Sequence, residues 1–336
     1  MKLDAFNHLF PREYYDRMLK VAPKGKDMHK RVREIPCIVD LDERFRIMDR
    51  FGDDYAQVIC LPSPPIEVFG PPPLSTELAK LANDGLAALV HKHPKRFPAF
   101  VASLPMNDPD GLLAEAERAV RKLGAVGVQA FTNVLGKPLT APETMPLFDL
   151  MAELDLPIWL HPARGADTPD YASESRSHYE IWWTFGWPYE TSAAMAHIVF
   201  AGLFDKHPGL KIITHHMGGM IPYFEGRVGP GWDQLGSRTS DVDYTLLLRK
   251  LKQRPLDYFR MFHADTALFG AWEATKCGLR FFGPDHVLFA SDAPFDPEKG
   301  SMYTRTTIEI VDRLDLAPHE RQAIYEGNLR RLTRLA

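Results

Sequence analysis

The chain has 336 residues, 40 of them basic and 44 acidic for a net charge of −4, with 45% apolar and 25% charged positions. These are the proportions of an ordinary soluble globular protein, and the charge balance offers no basic footprint for nucleic acid. No apolar run approaches the ~20 residues of a membrane span.

Cys37, Cys60 and Cys277 are far apart with no CxxC pair, which argues for reduced thiols rather than a disulfide framework or a cysteine zinc site. The N-terminal MKLDAFNHLF lacks the apolar core of a signal peptide, so a cytoplasmic protein is expected.

Lys2–Phe6 reads as a short strand with His8 just beyond it, and Pro11 opens a helix over Arg12–Leu19. Val21–Val39 is basic, holds Pro23, Gly25 and Pro36, and reads as a small excursion near the mouth of the fold. Asp40–Phe51 is a helix with Phe45, Met48 and Phe51 inward, and Tyr55–Pro62 is the second strand. SPPIEVFGPPP is too proline-dense for regular structure. A helix over Leu74–Lys92, a strand over Phe97–Pro105 and a helix over Asp108–Leu123 with a DPDG start signal follow. Ala125–Phe131 is strand four, Pro142–Leu154 its helix and Pro157–His161 strand five.

Arg164–Trp187 is long and aromatic-rich, with Tyr171, Tyr179, Trp182, Trp183, Phe185 and Trp187; such a stretch covers a barrel, makes an oligomer contact or closes a pocket as a lid. Then come a helix over Glu190–Phe204, strand six over Lys211–His216, the start of a helix at Pro222–Val228 and strand seven over Phe259–Asp265. A helix over Ala271–Gly278, strand eight over Val287–Asp292 and a terminal helix through Pro318–Leu335 complete the chain. Alternation of this kind predicts an α/β fold, a (β/α)8 barrel of one domain over 1–336, with a small N-terminal insertion and a lid-like insertion after strand five. A doubly wound sheet fits less well, because no glycine-rich dinucleotide turn follows any strand.

Three strands end in residues able to hold a metal: PIWLHP in His161, KIITHHMGG in His215-His216, and VLFASDAP in Asp292. One polar residue at a strand end decides little. Several pointing into the mouth of a parallel barrel make a site, and imidazoles with a carboxylate are a divalent-metal set. His215 and His216 are adjacent, so on a strand only one can face inward. His263 and Asp265, ending strand seven, are secondary candidates for lining the pocket. His91, His93, His207, His286 and His319 read as surface residues.

Taken in order, these motifs resemble the amidohydrolase superfamily, in the branch of aminocarboxymuconate-semialdehyde decarboxylase and the aromatic-acid decarboxylases. MKLDAFNHLFP resembles that branch's D-x-H-x-H-x-x-P, IWLHP its strand-five motif, THHMGGMIPYFEGR its H-x-G-G block, and FASDAPF its closing S/T-D-x-P-F. GWPYETS, HPGLKI and EGNLRRL also match in place. The resemblance implies metal ligation by His8, His161 and Asp292, with one divalent ion, zinc first and manganese second. It implies acid/base catalysis by His216 with Asp292 able to take a proton, selects His216 as the inward histidine, and leaves His215 under a helix.

It also implies that Arg227 reaches a neighbouring subunit's substrate carboxylate, and so a homodimer or higher oligomer. The reaction implied is non-oxidative decarboxylation of an aromatic or unsaturated carboxylic acid, with hydrolysis of an amide, ester or lactone as the alternative. Phe6 departs from the pattern: it stands where the branch has its first histidine and cannot ligate. It is expected to line the substrate pocket there. A metal-poor binding partner that keeps the fold is the reading that departure leaves open.

Overall fold

The apolar runs fold as strands buried on both faces, as parallel strands wrapped by helices must be. The computed structural model describes residues 1–22 and 32–335, so residues 23–31 of the expected N-terminal excursion lie outside the described residues. The barrel strands are Lys2–His8, Tyr55–Cys60, a third in two segments (Ala99–Phe100 and Ala102–Ser103), Val128–Phe131, Ile158–His161, Ile212–Thr214, His263–Asp265 and Val287–Leu288. Each pairs in parallel with the next. The split third strand bridges its neighbours through Val101 N–H to the Ile59 carbonyl and Ala102 N–H to that of Gly127. The ring closes where Ala5 N–H donates to Phe289 O at 2.9 Å and His8 N–H to Ala293 O at 2.9 Å.

Inside the ring, Leu3, Ala5, Val101, Trp159, Ile213, Leu288 and Ala290 pack with Leu329 and Leu332 from the terminal helix (Asn328–Thr333). A larger core of Phe148, Met195, Phe204, Phe259, Phe289 and others lies between the strands and the helices. Burying an apolar side chain of this size contributes roughly 1.5–3 kcal/mol, so this outer layer carries much of the stability.

The helix over Leu74–Lys92 has the bounds read from sequence, and that over Pro109–Leu123 starts as its DPDG signal requires. Asp108 Oδ1 accepts from Gly111 N–H at 3.1 Å, and Pro109 sits where no N–H is needed. Sequence pattern missed the helices Thr245–Lys250 and Met302–Arg313 and the single turn Ile181–Thr184. It also placed Phe259 in strand seven, whereas Pro255–Phe259 is a short helix and the strand is His263–Asp265. The expected terminal helix is interrupted by a wider π turn at Ala323–Gly327. Among the described residues no helix is long and apolar enough to cross a membrane.

One irregularity positions the site. Pairing of the first strand with the second slips by one residue between Asp4 and Asn7. Leu3 and Ala5 face the interior, and strict alternation would put Phe6 and His8 on the other face with Asp4. The extra residue of the bulge turns Phe6 and His8 inward as well. Asp4 stays in the outer layer, where Tyr55 Oη, Ser291 N–H and Ser291 Oγ donate to its carboxylate at 2.7, 2.8 and 2.6 Å. Burial raises the pKa of Asp4 to about 6, against those hydrogen bonds.

Candidate metal centre

His8 is the last residue of the first strand and His161 the last of the fifth; His215 follows the sixth directly. Each ring is tied through Nδ1. That of His8 donates to the Leu61 carbonyl at 3.1 Å, that of His161 to the Pro162 carbonyl at 2.7 Å, and that of His215 forms a short hydrogen bond with Asp265. A carbonyl can only accept, so in His8 and His161 the proton sits on Nδ1 and Nε2 keeps its lone pair.

The Nε2 atoms of His8, His215 and His216 stand around Asp292, while His161 meets His8 and His215. His8 Nε2 lies 2.9 Å and His215 Nε2 3.5 Å from Oδ1, and His216 Nε2 lies 3.6 Å from Oδ2. The ligating atoms of His8, His161 and His215 all lie within 4.8 Å of one another, as do those of His215, His216 and Asp292. All five side chains are buried, His216 the least at 8% exposed.

This donor set fits a divalent cation. His8 Nε2 and His215 Nε2 are buried without a hydrogen-bond partner among the described residues, and His8 Nε2 approaches Asp292 without hydrogen-bond geometry. Lone pairs facing a carboxylate oxygen at such separations repel unless positive charge stands among them. Two ligands of one ion at about 2.0–2.2 Å each can be no more than about 4.4 Å apart, which each of these two groups, within 4.8 Å, reaches with little movement.

The electrostatics differ from ring to ring. Burial and the neighbouring His215 and His8 push the pKa of His161 well down, and burial and His215 lower that of His216. Burial opposes the charge of His215 too, but Asp265 and Asp292 outweigh it and hold its pKa at about 9. Burial would raise Asp292; the imidazoles of His215, His216 and His8 around it instead keep it well below the usual carboxylate range.

The placement of His215 corrects the reading from sequence, which packed it under a helix. The strand stops at Thr214, and His216 and Met217 adopt left-handed backbone at φ 52° and 54°. The backbone leaves the sheet before the two-residue alternation can turn either ring away, and the two imidazole centroids sit 3.7 Å apart. Left-handed residues other than glycine cost roughly 1–2 kcal/mol each. Asp265 Oδ1 helps hold the turn by accepting from His216 N–H at 3.0 Å and Ala267 N–H at 3.1 Å. Gly219 completes it at φ 63°, where a Cβ would stand 2.5 Å from the Pro188 carbonyl.

Phe6 is fully buried beneath the imidazoles, its centroid 4.2 Å from His215, 5.1 Å from His8 and 5.8 Å from His161. It has no surface toward the mouth, so the expected substrate contact is corrected to a floor under the ligands. Arg227 is exposed on the helix Glu225–Val228 with its guanidinium over the Phe224 ring, and this chain alone does not bring it to the site. His263 is likewise absent from the cluster and stacks on His286 at 4.4 Å. From the aromatic stretch, Trp187 abuts His161 at 5.6 Å and His216 at 6.4 Å. Beside the cluster opens a cavity of about 950 Å³, lined by Ser63, Thr132, Arg164, Trp182 and Glu190 among others. None of the four histidines lines it, but Thr132 and Arg164 come from the loops just past strands four and five.

The sequence pattern of the amidohydrolase family matches residues 26–335. The chain belongs to this family. Within the family it is similar to gamma-resorcylate decarboxylase of Polaromonas sp., 30% identical over 300 residues that cover 85% of this chain and 87% of that one. It is also similar to 2-amino-3-carboxymuconate-6-semialdehyde decarboxylase of Dictyostelium discoideum, at 28% identity over 313 residues, 88% of this chain and 82% of the other. A dihydroxybenzoic acid decarboxylase from Polaromonas sp., solved with manganese and the inhibitor 2-nitroresorcinol, superposes with a TM-score of 0.79 at 26% identity, covering 99% of this chain and 97% of that one. The barrel and the family expected from the motifs both stand.

Proposed function

We propose that this family member is a metal-dependent, non-oxidative decarboxylase of an aromatic or unsaturated carboxylic acid. The observation that carries the reading is the buried cluster in which His8, His161 and His215 meet one another and His8 and His215 meet Asp292, in a chain similar over most of its length to decarboxylases. His8, His161 and Asp292 would hold a divalent ion; the donors suit zinc, and manganese is the ion in the similar solved structure. Such an ion supplies Lewis-acid charge against which the anionic acid is oriented.

The C–CO2 bond breaks with its electron pair left on carbon, a proton joins that carbon, and CO2 leaves; no oxidant is needed. His216 is the most exposed of the cluster histidines, which supports giving it the task of bringing that proton in. Its lowered pKa makes its imidazolium a stronger acid than free histidine. The apolar faces of Trp187 and Trp182 would flank a planar substrate.

The metal-loaded protein should release CO2 from some member of a panel of hydroxybenzoates and muconate-type acids. Ester or lactone cleavage without CO2 would move the assignment to a metal-dependent hydrolase, and no turnover at all to a binding partner.

The proposal extends to a cytoplasmic homodimer or an oligomer built from dimers. Tyr179, Phe185, Tyr189 and Tyr223 are 94%, 71%, 57% and 79% exposed, apolar area that a partner would cover, and Arg227 lies four residues from Tyr223. Light scattering at micromolar concentration should give at least twice the 38.1 kDa chain mass. A monomer would remove Arg227 as a contact to a neighbouring subunit's substrate.

A further inference from the structure

We infer that His215 is a ligand of the bound ion, supplying the imidazole that the first strand lacks at Phe6, and that Asp265 is the residue that positions it. The inference rests on the metal-dependent reading above and adds a residue to its metal shell.

His215 is the member common to both groups of converging ligand atoms, His8–His161–His215 and His215–His216–Asp292. It is fully buried, and its Nε2 has no hydrogen-bond partner among the described residues. Its Nδ1 is tied outward to Asp265, just as His8 and His161 are tied to carbonyls. A ligating histidine almost always has its other nitrogen anchored in this way, because the anchor sets the tautomer and aims the lone pair. His216 shows no such tie at Nδ1 among the described residues, which separates the two neighbouring rings: His215 is built as a ligand and His216 as a group free to exchange a proton.

Phe6 explains why another ligand is needed and where it comes from. Its ring packs 4.2 Å from that of His215 and occupies the barrel floor with a group that cannot donate electrons to a metal. Asp265 is in turn fixed by His216 N–H and Ala267 N–H on its Oδ1, leaving Oδ2 for His215.

The test is metal affinity of the full-length chain, measured by chelator competition with Mn2+ and Zn2+. His215→Ala should weaken binding by at least about 100-fold. Asp265→Asn should weaken it by about 10–100-fold, the usual cost of losing an outer-shell partner. An asparagine amide facing Nδ1 would donate to it and move the imidazole proton onto Nε2, the atom that must ligate. Melting curves taken in chelator report folding separately.

Unchanged affinity in folded His215→Ala would overturn the inference while leaving the metal-dependent reading intact, whereas wild-type protein that takes up no metal would overturn both. Should His215→Ala fail to fold, X-ray absorption of metal-loaded His216→Ala decides: three imidazoles around the ion support the assignment and two overturn it.

Discussion

His161→Ala should lose bound metal and turnover together. The residue ends the fifth strand with its Nδ1–H held by the Pro162 carbonyl, so its Nε2 is aimed at the cluster by backbone rather than by a movable side chain. Its pKa is driven well down by burial and by His215 and His8, so the ring stays neutral and ready to ligate across the physiological range. Alanine removes that lone pair and leaves a hole among Phe6, Phe131 and Trp187. Large-to-small changes in such places destabilise by about 2–5 kcal/mol, so a loss of activity alone would not identify a ligand. Phe131→Ala is the control: its ring sits 5.0 Å from that of His161 and offers no donor atom. It should show a comparable loss of stability but keep the metal. If His161→Ala retained wild-type metal content by elemental analysis, His161 would be no ligand.

Much of this arrangement was legible in the sequence, for a physical reason. Strands in a parallel barrel are buried on both faces, so they appear as unbroken apolar runs, and the first polar residue after the run stands at the mouth. IWLH could be read that way, and His161 ends its strand as read; strand eight, read as Val287–Asp292, stops at Leu288, so Asp292 reaches the cluster from the loop beyond it, past Ser291. What could not be read was backbone geometry that departs from the strand's alternation. The bulge between Asp4 and Asn7 leaves no mark in the residues themselves. The left-handed His216 and Met217 are stabilised by Asp265, which comes from a different strand.

Asp265 itself was visible only as a polar end to strand seven; its bond to His215 joins residues 50 positions apart. The helix Met302–Arg313 was missed because Thr304, Thr306, Thr307, Ile308, Ile310 and Val311 are β-branched and weaken the helical signal. Packing of Tyr303, Thr307, Ile310 and Val311 into the protein overrides that preference.

Three left-handed residues other than glycine fall where the chemistry is proposed. His216, Met217 and Asp292 all have positive φ, a conformation that persists only when surrounding contacts over-determine it. For Asp292 those contacts are its own N–H to the Phe6 carbonyl at 3.2 Å and the neighbouring Ser291, which donates to the buried Asp4. The backbone of Asp292 is thus held by the first strand, which also carries His8, so one strand positions both groups.

Replacing His216 should separate proton transfer from metal binding. Its Nε2 lies 3.6 Å from Asp292 Oδ2, its centroid 6.4 Å from that of Trp187 and 5.3 Å from that of Phe269, so it can meet a substrate held between the cluster and the aromatic face. Loss of a general acid/base group lowers rate by about 10²–10⁴-fold, equivalent to ~2.7–5.4 kcal/mol of barrier. His216→Ala should therefore cut kcat by that order while metal content stays at the wild-type level. Alanine at φ 52° adds backbone strain of its own, so His216→Asn is the better variant, since asparagine tolerates the left-handed region. Asparagine cannot titrate near neutrality, and it should lose the same 10²–10⁴-fold in kcat without the stability loss expected of alanine. Wild-type kcat in metal-loaded His216→Asn would transfer the proton step to another residue, with Asp292 the first to test. Loss of metal in that variant would instead make His216 a ligand, contrary to the division of roles between the two adjacent histidines.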